Sequence, residues 1–388
     1  MPYDFDQLID RRPSNSYKWN KYPLDALPMW LADMDFASPR AVLEALRAKV
    51  EHGIFGYEQP SAEHLEVVCE RMWRLYRWRV TPDQITPLPG LVRAMNAVCR
   101  AIGQPGDGVL THTPIYPPFL SAPVRNQRAL QTTPLTLVSD GPTFHYEIDF
   151  DAFEKAIAPS AKLYFLCNPH NPGGFVFSRD QLTRLAEICL RRNVIICADE
   201  IHSELILDGS AHIPLAAIAP EIASQTITLV APSKTFNTAG LACGFVIAPN
   251  PKTRATILAA TEDDIPWINS LGLAAALAAF RDDPDTDEWL ASLRQYLKEN
   301  RDTLVECLTT QLPDIQTTVP EATFLAWLDC RHAGIDGDPH TFFLEKAKVA
   351  FNDGKTFGPG GDGFVRLNFG CPRSRLLEAL ERMKEALA

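Results

Sequence analysis

LYFLCNPHNPGGFVFSRDQLTRLAEICLRRNVIICADE, residues 163–200, decides the fold. It opens on a short apolar run, LYFLCN, and closes on another, VIICAD at 194–199. Short runs that are apolar on successive positions read as strands buried on both faces, the habit of parallel sheets. Between them a Pro- and Gly-rich loop leads into a helix from Ser178 to about Arg192, its start marked by the capping-box pair Ser178 and Gln181. Strand, helix, strand is one crossover unit.

Outward from this unit the same alternation runs from Ala41 to Pro249, with strands expected at 108–112, 227–231 and 244–247 and a helix at 93–102. After Pro251 the pattern changes to long helices, one through Phe280 and one over 287–311, then strand candidates at 324–328 and 364–369 and a last helix from Pro372. The first forty residues are irregular and Trp-rich. The expected architecture is α/β: a large domain over 41–250 around a mostly parallel central sheet, and a smaller α+β domain from 1–40 and 251–388.

At 388 residues, 46% hydrophobic and 22% charged, the chain has the make-up of a soluble globular protein with a sizeable core. A net charge of -11 argues against a nucleic-acid partner, whose phosphates call for clustered Lys and Arg. Nine cysteines, no two closer than eight positions, form neither a metal knuckle nor a redox pair and point to reduced thiols in the cytoplasm. The start, MPYDFDQLIDRR, lacks the apolar centre of a secretory signal, and the apolar run at 268–280 is too short to span a bilayer, so no membrane contact is expected. GPGGDG at 358–363 satisfies a dinucleotide-binding pattern but precedes a strand and opens no helix. HSE at 202–204 imitates a zinc-deaminase motif without its PCxxC, and no metal site is expected.

Three strand ends carry the chemistry. Lys234 in APSKTFNTAGL follows the 227–231 strand, Asp199 ends VIICAD, and Asn168 and Asn171 follow LYFLCN, with Gly173 and Gly174 allowing close backbone approach. Taken singly they read as a surface-loop lysine, a helix N-cap and a turn. In open α/β sheets, however, ligands bind beyond the carboxyl ends of the strands, so together they offer an amine, a carboxylate and an amide to one crevice. Pyridoxal 5'-phosphate needs that trio: an aldehyde for the lysine, a pyridine nitrogen kept protonated by a carboxylate, and a phenolate oxygen that takes a donor. Gly90 and Leu91, just before a helix, offer backbone N–H groups to the phosphate, with Ser233 as a further candidate.

The order NPHNPGG, ADE, SKTFN resembles the fold-type I, aspartate-aminotransferase-like enzymes of the class I/II aminotransferase family. More narrowly, PMWLADMDFASP at 28–39, GIFGYE at 53–58, ADEIHSEL and FVRLNFGCPRSRLLEAL resemble the MalY/PatB-type carbon–sulfur β-lyases, in the right order over nearly the whole chain. The resemblance implies the type I PLP-transferase fold and β-elimination on S-substituted cysteines, cystathionine or a cysteine S-conjugate, giving a thiol, pyruvate and ammonia. By position, it implies that Lys234 is the Schiff-base lysine, that Asp199 pairs with the pyridinium and that Asn171 donates to the phenolate oxygen. His202 then supports that carboxylate or the ring oxygen, Tyr116 stacks on the cofactor, and Arg366 grips the substrate α-carboxylate as a two-pronged fork. Tyr57 reaches the phosphate from a partner subunit, which implies a homodimer. The chain departs from the pattern at Gly173, where Thr is common, at Ala231, where Ser is common, and at Ala242, where many aminotransferases place Arg. Two alternatives share these residues: an aminotransferase acting on an amino acid, and a non-catalytic PLP-binding regulator.

Overall fold

The structure is a computed structural model that describes residues 3–261 and 265–388. Its central sheet has seven strands in the order Ile85–Leu88, Gly244–Ile247, Thr226–Val230, Ile195–Asp199, Ala161–Cys167, Gly108–Thr113, Ala129–Pro134. The last five run parallel, and Gly244–Ile247 runs antiparallel to both its neighbours. Register aligns Cys167 with Asp199 and Asp199 with Leu229, so three strands end at one level. Successive residues of the buried strands serve opposite faces. Leu163, Phe165, Cys197 and Ile227 pack with the helices Leu91–Ala101 and Pro117–Arg125, while Tyr164, Leu166, Ile196 and Ala198 pack with Phe150–Ala156 and Arg179–Arg191. Both faces are covered, which is why the strand sequences are apolar throughout instead of alternating.

A second sheet of six strands has the order Asn352–Asp353, Phe364–Asn368, Leu325–Asp329, Gln316–Thr317, Thr143–Glu147, Thr136–Asp140. Its last two strands form a hairpin from within residues 41–250, turning at Gly141 and Pro142, so a part of the expected large domain pairs with the C-terminal third. The N-terminal segment joins the same region: Leu27–Pro28 pairs in parallel with Val349–Ala350.

Several element boundaries differ from expectation. The helix expected at 93–102 begins at Leu91, because Gly90 takes a positive φ of 98° that side-chain-bearing residues avoid and so turns the chain into it. The long helix expected through Phe280 is two, Pro251–Ala259 and Ser270–Phe280, and its stretch at 262–264 lies outside the described residues, as do positions 1 and 2. No helix follows Asp199: residues 201–204 form turns, so His202 is placed by a loop. Among the described residues no helix is long and apolar enough to cross a membrane.

Candidate active site

At the carboxyl ends of the central strands lies a cavity of about 350 Å³. Lys234, Asp199, Asn171, His202, Tyr116, Ser233, Gly90 and Leu91 all line it, so eight of the expected residues converge from separate stretches of chain. The Asn168 N–H donates to the Asp199 carbonyl at 3.0 Å and its Oδ1 accepts from Phe177 N at 3.1 Å, so that asparagine closes the loop and Asn171 alone faces the cavity. Tyr116 caps the helix Pro117–Arg125, whose two leading prolines have no N–H to waste, and its own N–H donates to the Asn171 carbonyl at 3.1 Å. The first turn of Leu91–Ala101 abuts the same space, its N–H groups having no acceptor within the helix.

Burial sets the electrostatics. It pushes the Asp199 carboxyl up to about 7, against the Ile201 N–H, which donates to Oδ1 at 3.1 Å, and the nearby Lys234 charge. It pulls the Lys234 amine down to about 8, and Lys234 Nζ donates to the Ala32 carbonyl at 2.5 Å. His202, 2% exposed, is held neutral by burial and by the positive charges of Lys234 and Arg366, and its Nδ1 has no partner. Arg366, on the Phe364–Asn368 strand, stands just outside the cavity lining. Its Nη1 donates to Asn171 Oδ1 at 3.0 Å, and its Nη2 to the Trp30 carbonyl at 3.1 Å and Asn352 Oδ1 at 2.5 Å. Its Nε is buried without an acceptor, and it has no carboxylate partner among the described residues.

Residues 31–383 match the aminotransferase class I and II family. The chain belongs to that family. It is 39% identical over 393 residues to the cystathionine beta-lyase PatB of Bacillus subtilis (strain 168), covering 99% of this chain and 100% of that one. Cystalysin from Treponema denticola, whose crystal structure contains pyridoxal 5'-phosphate, superposes with a TM-score of 0.93 at 32% identity over 100% of this chain and 99% of its own. The PLP-bound C-S lyase from Staphylococcus hominis superposes with a TM-score of 0.92 at 31% identity over 99% of each chain.

Within this aminotransferase-family site, Tyr57 stands apart. It is 93% exposed, outside its own chain's cavity, with its ring edge-on to Trp267 at 5.4 Å and with Ile54 and Phe55 also exposed. The departure at position 173 has a packing cause: a Cβ on Gly173 would come within 2.8 Å of the Phe175 ring and 3.0 Å of His170 Nδ1, and that ring stacks on His170 at 4.5 Å. Sequence reasoning missed Trp30 and Ala32, which act through backbone carbonyls and so carry no side-chain signal. It also passed over Asn352 and Asn237. Asn237 accepts from the Met34 N–H at 3.0 Å and donates to the Met34 and Phe36 carbonyls at 2.9 and 2.8 Å. Its place inside SKTFN was the available signal.

Proposed function

We propose that this chain is a pyridoxal-5'-phosphate-dependent carbon–sulfur lyase that carries out β-elimination on S-substituted cysteines. The observation that carries the reading is one cavity holding a buried carboxylate with no bonded cation, Asp199, and a lysine brought close to neutrality, Lys234. Pyridoxal phosphate fits what these residues lack. Its protonated ring nitrogen supplies the cation that Asp199 is missing, and the orphaned Nδ1 of buried His202 is a polar atom awaiting a ligand. Asn171 spends its Oδ1 on Arg366 and keeps its Nδ2 to donate to the phenolate oxygen. The pyridoxal-phosphate-containing lyases above support the same choice.

Bound here, the cofactor supplies an aldehyde carbon that takes up an amine and a ring that accepts the electron pair left at Cα. Lys234 would hold the cofactor through its amine, and Nζ is the base that would remove the substrate Cα proton. The Ala32 carbonyl holds that nitrogen in place. Asp199 would keep the ring nitrogen protonated, and Tyr116 would pack against the ring. Arg366 would take the substrate α-carboxylate through its guanidinium, which has no carboxylate partner among the described residues. The N–H groups at Gly90 and Leu91, with the Ser233 hydroxyl, would hold the phosphate. The Cβ–S electron pair would leave with sulfur as thiolate, which takes the proton carried by Lys234 Nζ to become the thiol, and water would convert the remaining three-carbon unit to pyruvate and ammonia. We further infer a cytoplasmic homodimer: the exposed patch of Ile54, Phe55, Tyr57 and Trp267 suits a second copy, with Tyr57 reaching its phosphate site, and the nine cysteines are unpaired thiols.

Aminotransfer is the second reading, favoured by the family description and served by the same residues. Incubation with cystathionine separates them. Free thiol and pyruvate in equal amounts are expected; stoichiometric conversion of the cofactor aldehyde to an amine without thiol release overturns the lyase.

A further inference from the structure

We propose that Arg93 is the counter-ion of the cofactor phosphate, a role that rests on the pyridoxal-phosphate reading above. Arg93 is the third residue of the helix Leu91–Ala101 and lines the same cavity as Lys234 and Asp199. Helical side chains lean toward the N-terminus of their own helix, so a long side chain at the third position reaches back over the open N–H groups of the first turn. A cation there opposes the positive end of the helix dipole, and the first turn holds no acidic residue to offset it. An anion seated at the helix end reverses the sign of both interactions.

The remaining walls point the same way. Among the described residues lining the cavity, only Lys234 and Arg93 carry cationic side chains, and Lys234 serves the aldehyde end. The wall formed by Ala239 and Ala242 offers no charge. Among the described residues the Arg93 side chain has neither an ion pair nor a hydrogen bond. A second observation, independent of the helix end, marks the cavity as a ligand site: His202, 2% exposed, lines it with an unpartnered Nδ1.

The test compares binding, not turnover. Apo forms of the wild type, Arg93→Ala and Arg93→Lys are titrated with pyridoxal 5'-phosphate and with pyridoxal, which lacks the phosphate, following tryptophan fluorescence. Arg93→Ala should weaken pyridoxal-phosphate binding about tenfold or more, with partial recovery in Arg93→Lys, while pyridoxal binds all three proteins within about twofold. An unchanged affinity for pyridoxal phosphate overturns the proposal. So does an equal loss for both ligands in a variant whose circular dichroism matches that of the wild type. A wild type that binds both ligands equally refutes the phosphate site alone, whereas one that binds neither refutes the cofactor reading and this proposal with it.

Discussion

Lys234 and Asp199 differ in what burial does to them, and that difference is the chemistry of the site. A solvent-exposed lysine is almost wholly protonated at neutral pH and useless as a base. Burial brings Lys234 down to about 8, so a useful fraction is neutral. With Lys234 as the proposed base, the elimination rate should climb about tenfold per pH unit below 8 and level off above it. A flat profile there would remove Lys234 as the base. Lys234→Ala should slow elimination by about 10²–10⁴-fold and leave no covalent cofactor adduct after borohydride reduction. At this scale the sequence was informative because reactive side chains sit in short contiguous motifs, whereas Ala32 and Trp30 act through carbonyls that every residue has.

Among the elements, the stretch 30–36 does work out of proportion to its irregular backbone. Asn237, next to the lysine loop, holds Met34 and Phe36, while Asn368, on the arginine strand, donates to the Leu31 and Asp33 carbonyls at 2.5 and 2.7 Å. Lys18 Nζ reaches Asp35 Oδ2 at 2.8 Å, anchoring the stretch in a buried ion pair. It therefore straps the Lys234 loop to the Arg366 strand. Removing three hydrogen bonds in Asn237→Ala should free about 1 kcal/mol each, seen as faster amide hydrogen exchange at Met34 and a raised KM as the Trp30 carbonyl loses its hold on Arg366. Unaltered exchange at Met34 would mean that Asn368 and Asp35 suffice. The βα units were legible because buried strands are apolar throughout. The hairpin at 136–147 was not, since its first strand is half-exposed or exposed along its length, although Gly141-Pro142 carries a turn signal.

The whole molecule is organised by contacts that no local pattern encodes. The hairpin from within 41–250 belongs to the second sheet, and the sheet's membership is set by pairing with strands at 316–317 and beyond. Tyr57 raises the same issue between copies. If it completes the partner's site, mixing the inactive Lys234→Ala and Tyr57→Phe homodimers should restore part of the activity, because one site of each mixed dimer would hold both native residues. No recovery under proven subunit exchange would place Tyr57 outside the reaction. The strap has a consequence for biogenesis as well. Arg366 bonds to Trp30 across 336 positions and Asn368 to Leu31 across 337. Contacts so distant along the chain form late, so a nascent polypeptide still on the ribosome can complete its central sheet while its earliest residues wait for the last strand to be translated.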